Sequence, residues 1–191
     1  MARTSIEALA QVLAVLAELE IPYLLVGSFS SNFYSYPRAT NDADIELQFR
    51  DGDLTRIWER LGPDFIVDPQ TSFEMLTGTL RDVITFRPTK FDIEFYRLGN
   101  DPHLQERFAR RKQVALPELS VAAVLPTAED VVIQKLRWQR EKDIDDVRKV
   151  LAIQYDKLDW EYIFKWTAVH GTSELLGRLR MDAEDQSREI E

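Results

Sequence analysis

One short segment of strictly alternating polarity constrains the fold of this chain more than any other. From Ala43 to Phe49 an apolar residue occupies every second position, and an acidic or amide residue lies between each pair. Side chains of a β-strand point alternately to the two faces of a sheet. The pattern therefore predicts a half-buried strand with one apolar and one acidic face, and Asp42 and Asp44 share the acidic face.

Helical and extended patterns alternate around this strand as far as residue 125. Helical spacing over 4–19 precedes a short apolar run, Tyr23–Val26, which predicts a central buried strand. After Pro126 the spacing is helical, with breaks near residue 155 and at Gly171. We therefore predict an α/β core over 1–125 and a C-terminal region of three or four helices, over 126–191, that packs on the core. The other predicted elements are helices over 29–36, 54–61 and 102–110, and strands over 83–86, 91–96 and 121–125 and around 114.

Composition excludes several classes of function. The 191 residues include 24 Lys and Arg against 33 Asp and Glu, a net charge of −9 that argues against sequence-independent wrapping of nucleic acid. Cysteine is absent, which excludes disulfides, thiolate zinc sites and iron–sulfur clusters. No apolar run is long enough to span a bilayer, and the N-terminus lacks a signal-peptide pattern. We expect a cytoplasmic protein that does not bind membranes.

The remaining chemistry lies in carboxylates. Asp92 and Glu94 share one face of a later predicted strand, as Asp42 and Asp44 do on theirs. If the two strands are neighbours, the carboxylates converge, and a divalent cation would offset their repulsion. Oxygen ligands of this kind suit Mg²⁺, and two such ions can hold the attacking and leaving oxygens of a phosphoryl transfer.

The dipeptide Gly27-Ser28 supplies a second element of such a site. It ends the apolar run and leads into a predicted helix, where backbone N–H groups and a hydroxyl can hold a phosphate. Glycine has no Cβ and lets the backbone approach a ligand closely. The sequence therefore predicts a phosphate-binding turn before the acidic strand.

These motifs together resemble the DNA polymerase β-like nucleotidyltransferase superfamily. The resemblance is carried by Leu25-Val26-Gly27-Ser28, by Asp42-Ala43-Asp44-Ile45 and by Phe91-Asp92-Ile93. The approach Arg38-Ala39-Thr40-Asn41-Asp42 is similar to that of small prokaryotic members. Further on, Pro126-Thr127-Ala128-Glu129-Asp130, Lys135-Leu136, Arg140 and Lys142-Asp143 resemble the helical motif of the abortive-infection type nucleotidyltransferase toxins.

The resemblance implies a mixed β-sheet flanked by helices and a metal-dependent transfer of a nucleoside monophosphate from an NTP to an acceptor hydroxyl. The cofactor would be two Mg²⁺ ions, for which Mn²⁺ can substitute. Asp42, Asp44 and Asp92 would be the catalytic metal ligands, and Asp92 would also take the acceptor proton. The residues implied for nucleotide binding are Gly27, Ser28, Arg38, Thr40 and Lys135.

Several alternatives stay open at this stage. Glu94 and Asp82 compete with Asp92 as the third acid. Lys135 could lie on a solvated helix face, and Asp143 and Asp146 could form ion pairs along an exposed helix. The acceptor could be an RNA end such as that of a tRNA, a protein or a small molecule. A toxin-type member would have an antitoxin partner. The competing function is a non-catalytic nucleotide-binding or protein-interaction module on the same fold.

Overall fold

The structure is a computed structural model that describes residues 4–75 and 78–188. Backbone contacts divide the described residues into two compact units. The first, here called the sheet unit, holds the chain up to Phe29 together with Ala39–Leu125. The second, here called the helical unit, holds Ser30–Arg38 and the chain from Pro126 onward. The segment Ser30–Arg38 therefore contacts the C-terminal helices, although it lies within the first 125 residues.

The sheet unit is a mixed α+β structure, which confirms the predicted fold class. Its main sheet has six strands in the order β1-β2-β6-β5-β3, and β4 also pairs with β5. Strands β2 and β6 are parallel, and the other pairs in this sheet are antiparallel. The elements of this unit are α1 (Ser5–Glu18), β1 (Tyr23–Leu25), the start of α2 (Gly27–Tyr34), β2 (Asp42–Leu47), α3 (Asp53–Leu61), β3 (Phe65–Val67), β4 (Ser72–Glu74), β5 (Thr79–Phe86), β6 (Phe91–Arg97), α4 (Pro102–Ala109), β7 (Lys112–Ala115) and β8 (Ala122–Leu125).

The strand β1 is buried as predicted, but it is not central. It forms one end of the six-stranded sheet, and its three residues are nevertheless all buried. The small sheet β7–β8 contacts β1, and the Tyr23 hydroxyl donates to the Ala122 carbonyl over 3.3 Å. A covered edge strand and a central strand have the same apolar sequence, which explains the wrong prediction.

Each face of the main sheet has its own chemistry. One face carries the fully buried side chains of Ile45, Ile93 and Phe95, which belong to one core cluster with residues of α1 and α3. Alternation along β2 and β6 places the acidic residues on the opposite face.

The helix α1 begins at a capping box in which the backbone N–H of Glu7 donates to the Thr4 hydroxyl.

The helical unit has its own apolar core. Its elements are α5 (Ala128–Trp138), α6 (Glu141–Gln154), a 3₁₀ turn (Tyr155–Lys157), α7 (Trp160–His170) and α8 (Ser173–Arg188). The breaks near residue 155 and at Gly171 match the prediction, but a third break at Gln139 was not predicted. Gln139 ends α5 in the left-handed conformation with φ +55°, which is rare for a residue other than glycine. Within the described residues, none of the helices is both long and apolar enough to cross a membrane.

Candidate active site

The strand register places two of the predicted acids directly beside each other. In the parallel pair β2–β6, Asp42 is the partner of Asp92, and Asp44 is the partner of Glu94. Partners in a ladder point to the same face, so Asp42, Asp44 and Asp92 lie on one face of the sheet. Because Asp42 and Asp92 each stand near the start of a strand, the acids gather at one end of that face.

The two competing third acids have different surroundings. Asp82 is the register partner of Phe95, so it points to the apolar face, away from Asp42. Its Oδ1 accepts a hydrogen bond from the Thr71 hydroxyl over 2.6 Å. Glu94 lies on the acidic face, but the Arg81 guanidinium contacts both of its oxygens at 3.2 Å. The register therefore brings Asp92, rather than Asp82 or Glu94, beside Asp42.

Tyr96 completes the polar cluster around Glu94. Its hydroxyl donates to Glu94 Oε2. Burial raises the pKa of the Tyr96 hydroxyl, and the nearby Asp44 and Glu94 carboxylates raise it further. Tyr96 therefore stays protonated and acts as a donor, so that Glu94 has both Arg81 and Tyr96 as partners.

The far end of the acidic face is closed by a buried ion pair. The Glu46 carboxylate accepts from the Arg107 guanidinium of α4 over 2.7 Å, and both side chains are almost fully buried. Glu46 is therefore buried and paired, although it lies on the acidic face of β2. The acids with a route to solvent on β2 are the half-buried Asp42 and Asp44.

Two threonine hydroxyls hold the paired acids. Thr40 donates to Asp42 Oδ1 over 2.7 Å, and Thr85 on β5 donates to Asp92 Oδ1 over 2.6 Å. Among the residues that the structure describes, no Lys, Arg or His side chain forms an ion pair with Asp42 or Asp92. These neutral donors orient the carboxylates without neutralising their charge.

Gly27 approaches the Asp44 carboxylate more closely than any other residue type could. A Cβ at this position would lie 1.9 Å from Asp44 Oδ2, far inside van der Waals contact. The backbone of Gly27 also has φ +61°, and the neighbouring Val26 N–H donates to the Asp44 carbonyl over 2.8 Å. Gly27 begins α2, and the buried Ser28 follows it. The first backbone N–H groups of this helix therefore lie close to the acids.

The donor set fits a hard divalent cation. The three carboxylates are oxygen ligands on one face, which Mg²⁺ and Mn²⁺ prefer. Mg²⁺ usually keeps several waters and binds through a few carboxylates together with substrate phosphates, so a small set of aspartates suffices for such a site.

Arg38 and Lys135 belong to a second charged cluster, within the helical unit. Lys135 Nζ lies 3.0 Å from Asp143 and 2.7 Å from Asp146. The Arg38 guanidinium donates to both Asp146 oxygens, over 3.0 and 3.1 Å, and Ser31 also donates to Asp146. This network accounts for the contact of Ser30–Arg38 with the C-terminal helices.

The burial of this second cluster differs from what the sequence suggested. Lys135 is only 3% exposed, so it does not lie on a solvated helix face. Asp143 and Asp146 are buried as well, although charge spacing alone suggested an exposed helix. Burial alone would raise the pKa of Asp146, but hydrogen bonds from Arg38 and Lys135 outweigh it and lower the pKa to about 2.

One residue of the site was missed by sequence reasoning. The Thr85 hydroxyl contacts Asp92, and the position of Thr85 follows from the hairpin formed by β5 and β6. The turn at 87–90 makes Phe86 the partner of Phe91, so Thr85 must be the partner of Asp92. That register could have been counted from the sequence.

Comparisons with known proteins bear on the fold. Neither the models of protein families nor the curated proteins include a match to this chain. The solution structure of the antibiotic-resistance factor ANT(2'')-Ia is similar with a TM-score of 0.58 at 14% identity, covering all of both chains. The crystal structure of ANT(2'')-Ia in complex with adenylyl-2''-tobramycin gives 0.57 at 15% identity, over 90% of this chain and 99% of the other.

A third similar structure is of an antigenic nucleotidyltransferase-like protein from Paracoccidioides brasiliensis. Its TM-score is 0.54 at 17% identity, over 78% of this chain and 76% of the other. Similarity at such low identity concerns the path of the backbone rather than the residues of a site. The chain therefore has a nucleotidyltransferase-like fold.

Proposed function

We propose that this protein is a nucleotidyltransferase that uses divalent metal ions to move a nucleoside monophosphate from an NTP to an acceptor hydroxyl. The observation that carries the proposal is the register of β2 and β6. It places Asp42 beside Asp92, on the face where Asp44 meets the backbone of Gly27. Asp42 and Asp92 form no ion pair among the described residues, and they lie with Asp44 next to a helix N-terminus, an arrangement that suits a metal-bound triphosphate.

The roles of the residues follow from their positions. Asp42, Asp44 and Asp92 would hold the metal, two Mg²⁺ ions or Mn²⁺ in their place. When bound, these ions would offset the negative charge that develops on the transferred phosphoryl group. Gly27 and Ser28 would bind the triphosphate through backbone N–H groups and a hydroxyl. Thr40 would support the nucleotide site by orienting Asp42, to which it donates.

The transfer itself is an in-line displacement. The acceptor hydroxyl oxygen forms a bond to the α-phosphorus while the bond from that phosphorus to the bridging oxygen breaks, and pyrophosphate leaves. The acceptor proton passes to Asp92, whose Oδ1 is already held by Thr85. Glu94 is not assigned this role because Arg81 and Tyr96 already contact its oxygens.

Contributions of Arg38 and Lys135 to nucleotide binding remain predictions. Both cations contact Asp146, so a phosphate could engage them only in exchange for that carboxylate or in addition to it. Lys135→Ala tests the idea through NTP affinity. Unchanged affinity in a folded variant would remove Lys135 from the nucleotide site.

A small-molecule hydroxyl is the acceptor that we propose to test first. ANT(2'')-Ia, which has a similar fold, was crystallised with adenylyl-2''-tobramycin, a small molecule that carries an adenylyl group. An RNA end such as that of a tRNA and a protein hydroxyl are the other two classes. A toxin role would additionally require an antitoxin partner. Expression of this chain alone in bacteria would test that role, since a toxin without its antitoxin should arrest growth.

The competing proposal is a non-catalytic nucleotide-binding or interaction module. A third acid on the opposite face from Asp42 would favour the module, because a nucleotide could then be bound but the acceptor not activated. The location of Asp92 beside Asp42 favours the enzyme instead.

Two experiments test the proposal. Each labelled NTP is incubated with Mg²⁺, the protein and a cell extract, and label is then measured in the small-molecule, RNA and protein fractions. Transfer to one fraction is expected, and transfer to none would favour the module. In the second, Mg²⁺ or Mn²⁺ with an NTP should raise the melting temperature of the wild type but not that of Asp42→Asn with Asp44→Asn. An equal shift in both would place the ions elsewhere.

A further inference from the structure

We propose that Thr85 is a positioning residue for Asp92, the acid to which the proposed function assigns the acceptor proton. The inference rests on that proposed function. It concerns a residue on β5, a strand that carries none of the proposed metal ligands. Thr85 would act through Asp92 and would touch neither the nucleotide nor the acceptor.

The backbone around Thr85 is fixed by its neighbours. Its flanking residues Ile84 and Phe86 are fully buried on the apolar face, where their register partners are Ile93 and Phe91. Thr85 itself points to the acidic face and is half-buried. Threonine is branched at Cβ and has few accessible rotamers in a strand, so its hydroxyl has a narrow range of positions.

The contact of Thr85 with Asp92 selects one orientation of the carboxylate. The Thr85 hydroxyl donates to Asp92 Oδ1 over 2.6 Å, within the range of hydrogen bonds between a hydroxyl and an oxygen acceptor. Rotation of an aspartate carboxylate about its last torsion is otherwise broad. The Thr85 hydroxyl occupies one acceptor position of Oδ1, and no described residue donates to Oδ2. Oδ2 is therefore the Asp92 oxygen with both acceptor positions available to a metal or a proton.

A matching contact occurs on the neighbouring strand. Thr40 donates to Asp42 Oδ1 over 2.7 Å, so each of the two register-paired acids has one oxygen held by a threonine. Carboxylates that bind metals commonly need such supporting hydrogen bonds, and their loss typically costs about 10–100-fold in metal affinity or activity. Thr40 belongs to the sequence motif that precedes Asp42, whereas Thr85 lies outside all of the motifs that carry the family resemblance.

The test compares Thr85→Val, which keeps the shape but loses the hydroxyl, with Thr85→Ser, which keeps the hydroxyl. The matched control is Thr79→Val on the same strand, because the buried Thr79 hydroxyl donates to the Arg97 carbonyl over 2.6 Å, not to an acid. Far-UV circular dichroism and urea unfolding check that each variant folds. Thr85→Ala replaces Thr85→Val in the comparison if the valine variant does not fold.

Two readouts are measured on each variant. For Thr85→Val we expect kcat of transfer to fall about 10–100-fold with the KM for NTP nearly unchanged. We also expect Mn²⁺ binding to the protein alone, titrated by electron paramagnetic resonance, to weaken by about tenfold or more. Thr85→Ser should recover most of both, and Thr79→Val should lose neither. Equal losses in Thr85→Val and Thr79→Val, or a serine variant no better than the valine variant, would overturn the proposal.

The failure of this inference is distinguishable from that of the proposed function. If the wild type transfers no nucleotide but Thr85→Val still weakens Mn²⁺ binding, the proposed reaction is wrong and the positioning of Asp92 stands. If the wild type transfers nucleotide and Thr85→Val does so equally well, with the same Mn²⁺ affinity, the reaction stands and the role of Thr85 is rejected.

Discussion

Two groups of aspartates in this molecule have different kinds of partner. In the helical unit, Asp143 and Asp146 are buried, and Lys135, Arg38 and Arg140 lie within ion-pair distance of them. In the sheet unit, the half-buried Asp42 and Asp92 have threonine hydroxyls as their described hydrogen-bond partners. The first group is neutralised by the chain itself, whereas the second is oriented but keeps its charge.

The difference distinguishes a cluster of aspartates that is neutralised within the fold from the cluster that we propose binds metal. Buried charges need partners, so removing Lys135 from beside the buried Asp143 and Asp146 should destabilise the helical unit. Adjacent carboxylates without a cation repel each other, and a fold keeps them at some cost in stability. A cation supplied from solution would remove that cost, which is why the sheet-unit acids are the better candidates for a metal site. The predictions below test this contrast, beginning with the largest effect.

Neutralising one acid of the sheet unit should strongly reduce activity without loss of the fold. Asp92→Asn keeps the size of the side chain but removes a proton acceptor and a metal ligand. We expect transfer to fall by about two to four orders of magnitude, while urea unfolding is nearly unchanged. The control is Asp145→Asn, since Asp145 is 52% exposed and pairs with Lys149 on the surface of α6. Full activity in Asp92→Asn with loss in Glu94→Gln would move the third acid to Glu94.

Removing the buried cation of the helical unit, Lys135, should lower the stability of the fold, whereas removing an acid of the sheet unit should lower activity. Lys135→Met leaves Asp143 and Asp146 buried beside a neutral side chain. The expected loss is about 3–5 kcal/mol in the free energy of unfolding, measured in urea. Lys149→Met, which breaks the exposed pair with Asp145, should cost about 0.5 kcal/mol or less. Equal costs for the two variants would contradict a structural role for the buried network.

The glycine beside the acids should be irreplaceable for two separable reasons. Gly27→Ala brings a Cβ to 1.9 Å from Asp44 Oδ2 and forces a positive φ on alanine. Gly171→Ala is the control because Gly171 has φ +68° with nothing near its Cβ position. The control should cost about 1–2 kcal/mol for backbone strain alone. Gly27→Ala should cost about 1–3 kcal/mol more from overpacking, and most of that excess should disappear in an Asp44→Ala background.

Features of this fold that depend on neighbouring residues could be predicted from the sequence. The candidate site depends partly on such local features and partly on the pairing of distant strands. Alternation in β2 and β6 fixed which residues share a face, and the short turn after Phe86 fixed the β5–β6 register. The parallel pairing of β2 with β6 is different, because the two strands are separated by about forty residues of sequence. Alternation does not specify the neighbour of a strand, so that pairing was expected only from the family resemblance.

Contacts between distant residues account for what the sequence did not predict. Arg38 and Asp146 are 108 positions apart, and no periodicity links them. Without that pairing, Ser30–Arg38 could only be assigned to the sheet core, and Asp146 could only be interpreted as one more charge on a helix. Whether a charged residue can be buried depends on the partners that the fold brings to it, and its position in a sequence pattern does not reveal those partners.

The smallest expected effect is a difference in acid stability between the two groups of aspartates. The folded-state pKa of Asp146 is lowered to about 2, because hydrogen bonds and charge from Arg38 and Lys135 outweigh its burial. A carboxyl group with a lowered pKa stabilises the fold above its unfolded pKa of about 3.9, and this contribution is lost as the pH falls toward 2. The difference between these two pKa values corresponds to about 2–3 kcal/mol when the pH has fallen below both, and to roughly half of that between pH 6 and pH 3.

Urea unfolding at pH 6, 4 and 3 would measure this contribution as the difference between the wild type and Asp146→Asn. We expect the stability advantage of the wild type to shrink as the pH falls from 6 to 3, because Asp146 takes up a proton in the unfolded chain near its ordinary pKa while it stays ionised in the folded protein down to about pH 2. The asparagine variant has nothing to titrate at that position. Asp42→Asn is the comparison from the sheet unit. Since no described cation pairs with Asp42 and the neighbouring Asp92 carboxylate repels it, its replacement should leave the stability unchanged or raise it slightly at pH 6 in the absence of metal. A large loss in Asp42→Asn under those conditions would mean that the protein itself neutralises the acid, and the contrast between the two clusters would then fail.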